Sequence, residues 1–380
     1  MRKACEEKTI PEQMELKMEF IEGEMDELKG DTLPFGYTGY IRKKISFMII
    51  SSILLFLLLI YSIAVGAASV SFSDVVAALL GYDVGNISTI VWNIRLPRAL
   101  AAIVSGIGLS VAGVALQSIL RNPLGSPYTL GISHAAAFGA AFSVIVLGSG
   151  TMRSTGADAV MLNNPYMTTA VAFIFSMIAT FILIAIAKYR NASPEVMILT
   201  GVALASLFTA GTMFLQYFAD DVQLAAVVFW TFGDVGRADW GDLGILTAIV
   251  VPSMLYFLIN RWNYNAIDAG DETARGLGVN VEKVRLWGML VASLMTAFIV
   301  AFLGVIGFVG LVCPHMARRF VGDEQRFLLP ASCLTGGLLL LGADTAARLM
   351  LAPHELPVAI LTAFMGAPLF LYLLIRGYQH

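Results

Sequence analysis

LWGMLVASLMTAFIVAFLGVIGFVGLVCPHMA, residues 286–317, runs for 32 residues without a charge, bracketed by Arg285 on one side and Arg318-Arg319 on the other. A membrane-crossing helix needs about 20 apolar residues, so the run is too long for one span. The flanking arginines decide how it divides. Basic residues collect on the cytoplasmic side of a membrane protein, and both clusters reach that side only if the run crosses twice. The reversal is expected near Gly304 and Gly307, where the backbone is least restricted.

Further uncharged runs lie on either side: Ser46–Gly66, Ala99–Leu120, Gly131–Gly148, Tyr166–Ala187, Val196–Ala219 and Leu243–Asn260 before it, Phe327–Ala343 and Leu356–Ile375 after it. With the divided run they predict an all-α, polytopic membrane protein of ten transmembrane helices with both termini cytoplasmic. On this reading the inner side of the domain carries 14 bases and the outer side 5 (Arg95, Arg98, Arg153, Arg237 and Arg348), and a single crossing at 286–317 would break that bias from residue 318 onward. Two apolar stretches are too short to span. Val222–Gly233 reads as an interfacial or partly inserted helix, and Ser71–Leu80, opening on Ser73-Asp74, as a short helix on the outer surface. Small residues at close spacing (Gly106 with Ser110, Gly108 with Ala112, then Gly304, Gly307 and Gly310) predict helices that approach backbone to backbone.

Composition agrees. Of 380 residues, 58% are hydrophobic and 13% charged, where a soluble chain carries about 25% charged residues. Mean hydropathy is +0.78. These figures exclude a soluble enzyme, a disordered chain and a nucleic-acid binder. The net charge of −3 is uneven: residues 1–41 hold ten acids against five bases, and the remainder 19 bases against 17 acids. The chain therefore divides into an acidic cytoplasmic N-terminal extension, 1–41, and a membrane domain, 42–380. The extension contains no apolar run that would serve as a signal peptide. Met14, Met18, Ile21, Met25 and Leu28 recur at helical spacing, so it is either a solvated, weakly ordered tail or a short amphipathic, partner-binding helix.

Sites for bond chemistry are not evident. His354-Glu355 lacks the second histidine of a zinc-protease helix, and His134, His315 and His380 have no carboxylate or cysteine at ligand spacing. Cys5, Cys313 and Cys333 are too scattered for a disulfide framework. An intramembrane aspartyl protease needs two facing carboxylates; Asp344 sits at a helix end with nothing obvious opposite. The chain holds no Gly-Lys dipeptide for a P-loop, and its spans lack the mid-membrane ionisable groups of an ion-coupled carrier. If it transports, another polypeptide supplies the energy. An integral membrane enzyme is the outside alternative. No metal or cofactor is expected.

Specific strings narrow the class. Ile94-Arg95-Leu96-Pro97-Arg98 leads into a Gly/Ala-rich helix that ends Arg121-Asn122-Pro123-Leu124, and Leu130-Gly131-Ile132-Ser133 opens the next. Gly307-Phe308-Val309-Gly310, Cys313-Pro314-His315, Leu328-Leu329-Pro330, Ala343-Asp344, Ala347-Arg348, Glu355-Leu356-Pro357-Val358 and Gly366-Ala367-Pro368-Leu369-Phe370 follow in order. Together, from about residue 45 to 376, they resemble the FecCD-type permeases, the membrane subunits of ABC importers for iron-siderophores, haem and cobalamin, the cobalamin importer's among them.

The resemblance implies ten helices per protomer and a homodimer with the pathway at the subunit interface. It also implies two cytoplasmic ABC ATPase subunits, which bind the ATP, and an extracytoplasmic substrate-binding protein. The expected substrate is an iron-siderophore-type metal chelate, with a corrinoid (cobalamin) or haem as alternatives, moved intact by alternating access.

Residue roles follow in the same terms. Arg95, Arg98 and Arg348 match arginines that grip glutamates on the binding protein, and exposed arginine forks suit carboxylates. The alternative is interfacial anchoring, with Arg348 paired to Asp344 one helical turn earlier. Asp271, Glu272, Ala274, Arg275, Leu277 and Gly278 match the coupling helices that enter a cleft on the ATPase, Gly278 suiting a helix end where φ is positive; the alternative is an ordinary solvated loop. Asn122, Leu124 and Ser193 match positions that narrow the cytoplasmic end of the pathway, although Asn122-Pro123 is equally a helix stop. His315 lies in a motif that the family uses structurally.

Overall fold

The computed structural model describes residues 35–66, 71–82, 84–152, 160–162, 165–190, 193–350 and 355–377. The Met14–Leu28 pattern, Arg153, His354 and His380 lie outside them. The chain divides into two compact units, Met1–Ser46 and Phe47–His380. The first helix, α1 (Phe35–Ala64), begins in the first unit, and every later element belongs to the second.

After α1 come α2 (Phe72–Leu79), α3 (Asn86–Ile90), a π-helical turn at Val91–Arg95, α4 (Leu96–Ile119) and α5 (Ile132–Ile145). A two-stranded antiparallel hairpin, β1 (Gly150–Met152) with β2 (Val160–Leu162), is an addition to the all-helical expectation. Then follow α6 (Pro165–Tyr189), α7 (Pro194–Tyr217), α8 (Asp221–Thr231), α9 (Trp240–Ile259), α10 (Arg261–Asp268) and α11 (Asp271–Gly276). The chain closes with α12 (Val281–Leu303), α13 (Val309–Val321), α14 (Gln325–Met350) and α15 (Val358–Gly377).

Among the described residues, seven helical segments are long and apolar enough to cross a membrane: Gly39–Ala64, Asn86–Ile119, α6, α7, α9, α12 and α14; α5, α8 and α15 are shorter apolar helices. Val222–Gly233 does form a short helix, α8, opened by a capping box between Asp220 and Gln223. Ser71–Leu80 forms α2, with Ser71 at the N-cap position and Asp74 in the first turn.

The run 286–317 breaks where expected. Helix α12 stops at Gly304, whose φ is +79°, and α13 starts at Val309. Only glycine fits there: a Cβ would stand 2.6 Å from the Trp230 carbonyl oxygen, and the positive φ is strained for any other residue. Phe308 also takes a positive φ, +66°, and its carbonyl accepts bonds from the amides of Leu311 and Val312 to start α13.

Helix α4 is the centre of the bundle and is buried over most of its length. It packs on α14 and α13 through glycines, because lipid tails provide no hydrophobic drive between helices and close packing must supply the attraction. A Cβ on Gly106 would collide with the Gly336 backbone, one on Gly336 with Gly106, and one on Gly113 with the Gly310 carbonyl. Buried hydroxyls turn back onto their own helices: Thr296 donates to the Ala292 carbonyl and Thr335 to that of Ala331. Gly113→Leu forces α4 and α13 apart; a loss of about 3 kcal/mol or more is expected, read as a lower thermal midpoint of the detergent-purified protein.

Candidate functional site

Polar side chains gather at both ends of α4. At its N-terminal end, the π turn inserts one extra residue per turn just before Pro97, so Arg95 and Arg98 reach different partners. Arg95 Nη1 donates to the carbonyls of Ile63 (2.8 Å) and Ala64 (2.9 Å) in the last turn of α1. Arg98 grips Asp344 with Nε and Nη2 at 3.0 and 2.9 Å from Oδ1, and donates through Nη1 to Glu355 Oε2 at 2.5 Å. Asp234 lies 3.7 Å from its Nη2. Arg348 takes the other Asp344 oxygen at 3.2 Å and reaches Ser62 Oγ at 2.7 Å and the Val65 carbonyl at 3.3 Å. Thr345 Oγ1 completes the cluster by donating to Ser62 Oγ.

The three arginines expected as exposed forks are therefore buried, at 6–7% exposure, and bonded within the chain. Carbonyls at the end of α1 and the Asp344 carboxylate on α14 are the partners that hold them. The pairing of Arg348 with Asp344 one helical turn earlier is present. The expectation that nothing faces Asp344 is corrected: Arg98, 246 residues away, lies directly opposite. Glu355, Asp234 and Ser62 escaped the sequence reading, and the presence of Asp344 as an acid within an otherwise nearly carboxylate-free set of spans was the available signal. The side chain of Glu355 stays half exposed.

The opposite end of α4 meets α10 and α11. Within α11, Asp271 accepts a two-point bond from Arg285 (2.7 Å to each oxygen), and Arg285, nearly fully buried, also donates through Nε to the Ile119 carbonyl at 3.1 Å. Asp268 on α10 accepts from Gln325 Nε2 (2.9 Å) and Ser118 Oγ (3.2 Å), and Asn265 Oδ1 accepts from the Gln325 amide (2.9 Å). Burial pushes the Asp268 carboxyl above the usual range, opposed by those two side-chain bonds.

Of the expected loop residues, Ala274 is fully buried with Ala266, Ile267 and Val281, while Glu272, Arg275, Leu277 and Gly278 are exposed. Leu277, at 70% exposure, is an apolar residue facing outward. A groove of about 390 Å³ runs beside it along Arg275, Gly278, Asn280 and Glu282. Gly278 has φ +82° and closes α11: its amide donates to the Arg275 carbonyl, and that of Val279 to Ala274.

Asn122 and Leu124 share the turn that follows α4, where Asn122 Oδ1 accepts from the Leu124 amide at 2.8 Å. Ser193 stands at the N-cap position of α7, and its hydroxyl donates to the Glu195 carboxylate rather than capping the helix. His315 bonds the Leu311 carbonyl through Nδ1 at 3.1 Å, a contact within its own helix. Among the described residues, no group of three His, Cys, Asp or Glu side chains is placed to hold a metal ion.

Comparison with known proteins assigns the family. A Methanocaldococcus jannaschii chain named as an ABC transporter permease protein, MJ0087, is 56% identical over 91% of this chain and 99% of its own. The hemin transport system permease protein HmuU of Yersinia pestis is 36% identical over 85% of this chain and 93% of its own. A solved inward-facing ABC transporter described as of metal-chelate type superposes with a TM-score of 0.75 at 29% identity, covering 87% of this chain and 98% of that one. The model of the FecCD transport family matches residues 54–376. With its long apolar helices, the chain is a multi-pass protein of the plasma membrane and belongs to the FecCD transport family of ABC permeases.

Proposed function

We propose that this chain is the permease subunit of a binding-protein-dependent ABC importer that moves an iron-siderophore-type metal chelate inward by alternating access. The observation that carries the reading is the likeness to the metal-chelate-type transporter over 98% of that transporter's chain. A corrinoid or haem is the second substrate reading, favoured by the vitamin B12 and hemin permeases among the relatives. The chain crosses the membrane ten times with both termini cytoplasmic, α5, α13 and α15 adding to the seven longer spans. Residues 1–41 form a cytoplasmic extension to the permease domain, 42–380, and two copies of the chain enclose the pathway. Two ATPase subunits supply the energy.

In this reading the cluster of Arg95, Arg98 and Arg348 receives a carboxylate of the extracytoplasmic binding protein, with Arg98 exchanging the half-exposed Glu355 for it. The segment Asp271–Gly278, with Leu277 outward, enters the ATPase, and Asn122, Leu124 and Ser193 narrow the inner end of the pathway.

The test is uptake of a radiolabelled ferric chelate by vesicles holding the chain. Accumulation is expected only when ATPase subunits, ATP and binding protein are all present; chemical turnover of the chelate by the chain alone would identify an enzyme instead. Arg95→Glu with Arg98→Glu is expected to weaken binding-protein association more than tenfold at moderate salt, as loss of close charge pairs does. Unchanged affinity would remove the docking role.

A further inference from the structure

Helices α4 and α11 end in the same way. In each, the residue after the cap takes a left-handed conformation, its amide bonds back into the last turn, and the next amide closes a longer bond around it. At α11 the bonds are Gly278 to Arg275 and Val279 to Ala274; at α4 they are Arg121 to Ser118 and Asn122 to Gln117. Glycine is the usual occupant because it has no Cβ to clash. It is present at 278, but position 121 holds an arginine, at φ +46°. A side chain kept in a strained conformation signals a use for that side chain.

Its guanidinium shows the use. Arg121 Nη1 lies 3.9 Å from Asp271 Oδ1, an ion pair without a hydrogen bond, while that same oxygen accepts a hydrogen bond from Arg285 Nη2 at 2.7 Å. Arg285 in turn holds the Ile119 carbonyl. The path Ile119–Arg285–Asp271–Arg121 thus starts on the last residue of α4, passes through the first residue of α11 and returns two residues beyond the end of α4. The turn carrying Asn122 and Leu124 begins at the next residue.

We propose that Arg121 and Arg285 are positioning residues that clamp α11 to the end of α4, so that displacement of the Asp271–Gly278 loop moves the Asn122–Leu124 turn with it. This inference rests on the reading of that loop as the ATPase contact. Asp271 is the shared anchor. A carboxylate between two guanidinium groups holds both at once, whereas a neutral amide cannot bind both as an ion pair.

The test uses the assembled complex of permease and ATPase, with cysteine at position 124 as the reporter. Its maleimide modification rate is measured with and without ATP. In the parent complex the rate is expected to depend on ATP. Arg121→Gly relieves the backbone strain, so a purely structural role for residue 121 predicts an unchanged or firmer fold and an unchanged response. The clamp predicts that the fold is kept while the ATP-dependent change shrinks about threefold or more, the scale of a coupling contact. Arg121→Lys keeps a charge within reach of Asp271 and is expected to retain most of the response. Arg285→Lys loses the fork and the Ile119 bond and is expected to behave like Arg121→Gly. A full response in Arg121→Gly overturns the clamp, as does an equal loss in Arg121→Lys. Protection of residues 271–278 from hydrogen exchange by the ATPase is measured alongside; its absence in the parent complex defeats the loop reading itself, a result separate from the fate of the clamp.

Discussion

Asp344→Asn is expected to cost the fold about 3–5 kcal/mol, the usual result of stripping the partner from a buried charge. Asp344 is fully buried and is shared by Arg98 and Arg348. Without its charge Arg98 retains Glu355 and Asp234, but Arg348 is left with the Ser62 hydroxyl and backbone carbonyls. Domains commonly hold only about 5–15 kcal/mol of net stability, so a large share is at stake. The expected result is a strong fall in the yield of monodisperse protein in detergent and a depressed thermal midpoint. Arg348→Gln added to Asp344→Asn is expected to recover part of the loss, because it removes the charge that the first change orphans. Glu355→Gln, at a half-exposed site, is expected to cost less than about 1 kcal/mol. A thermal midpoint for Asp344→Asn equal to that of the parent would show that the cluster does not hold α1, α4 and α14 together.

Gly278→Arg is expected to abolish uptake, reducing it tenfold or more, while the protein still inserts and folds. The site is open: no atom lies within 4 Å of where a Cβ would sit, so the new side chain meets no wall within the chain. The left-handed backbone at φ +82° adds about 1–2 kcal/mol of local strain. What the arginine does obstruct is the groove beside Leu277, which the proposed ATPase contact occupies. Gly278→Ala carries the strain without the bulk and is expected to keep most of the activity. Equal loss in both variants would assign the defect to strain, and wild-type uptake in Gly278→Arg would remove this loop from the coupling path.

The seven long apolar helices were legible because each holds an uncharged run, and the backbone in hydrocarbon has to bond internally wherever it lies. The break at Gly304 was legible for a second reason: the run was too long for one helix, and Gly304 and Gly307 lay near its middle. The left-handed end at Gly278 was legible from residue type. Arg121 was not, because an arginine after a helix gives no local sign that it takes glycine's conformation. The reading of Arg95, Arg98 and Arg348 as exposed forks had only the pairing of Arg348 with Asp344, one helical turn earlier, to set against it. It had no way to place the carbonyls of Ile63 and Ala64 against Arg95, or the carboxylate of Asp344 against Arg98.

By itself, then, the order of residues determined the helical class, the break at Gly304, the left-handed end at Gly278, and the motifs of the FecCD transport family. These depend on interactions within a few residues: hydropathy along one segment, caps, and glycine where φ is positive. Which charges meet was decided only by the tertiary structure. Arg98 finds Asp344 across 246 residues, and Arg285 joins the end of α4 to the start of α11. The first pairing bridges α4 and α14, which glycines at 106 and 336 let touch backbone to backbone; the second depends on how α12 and α11 pack against the end of α4, which no local pattern encodes.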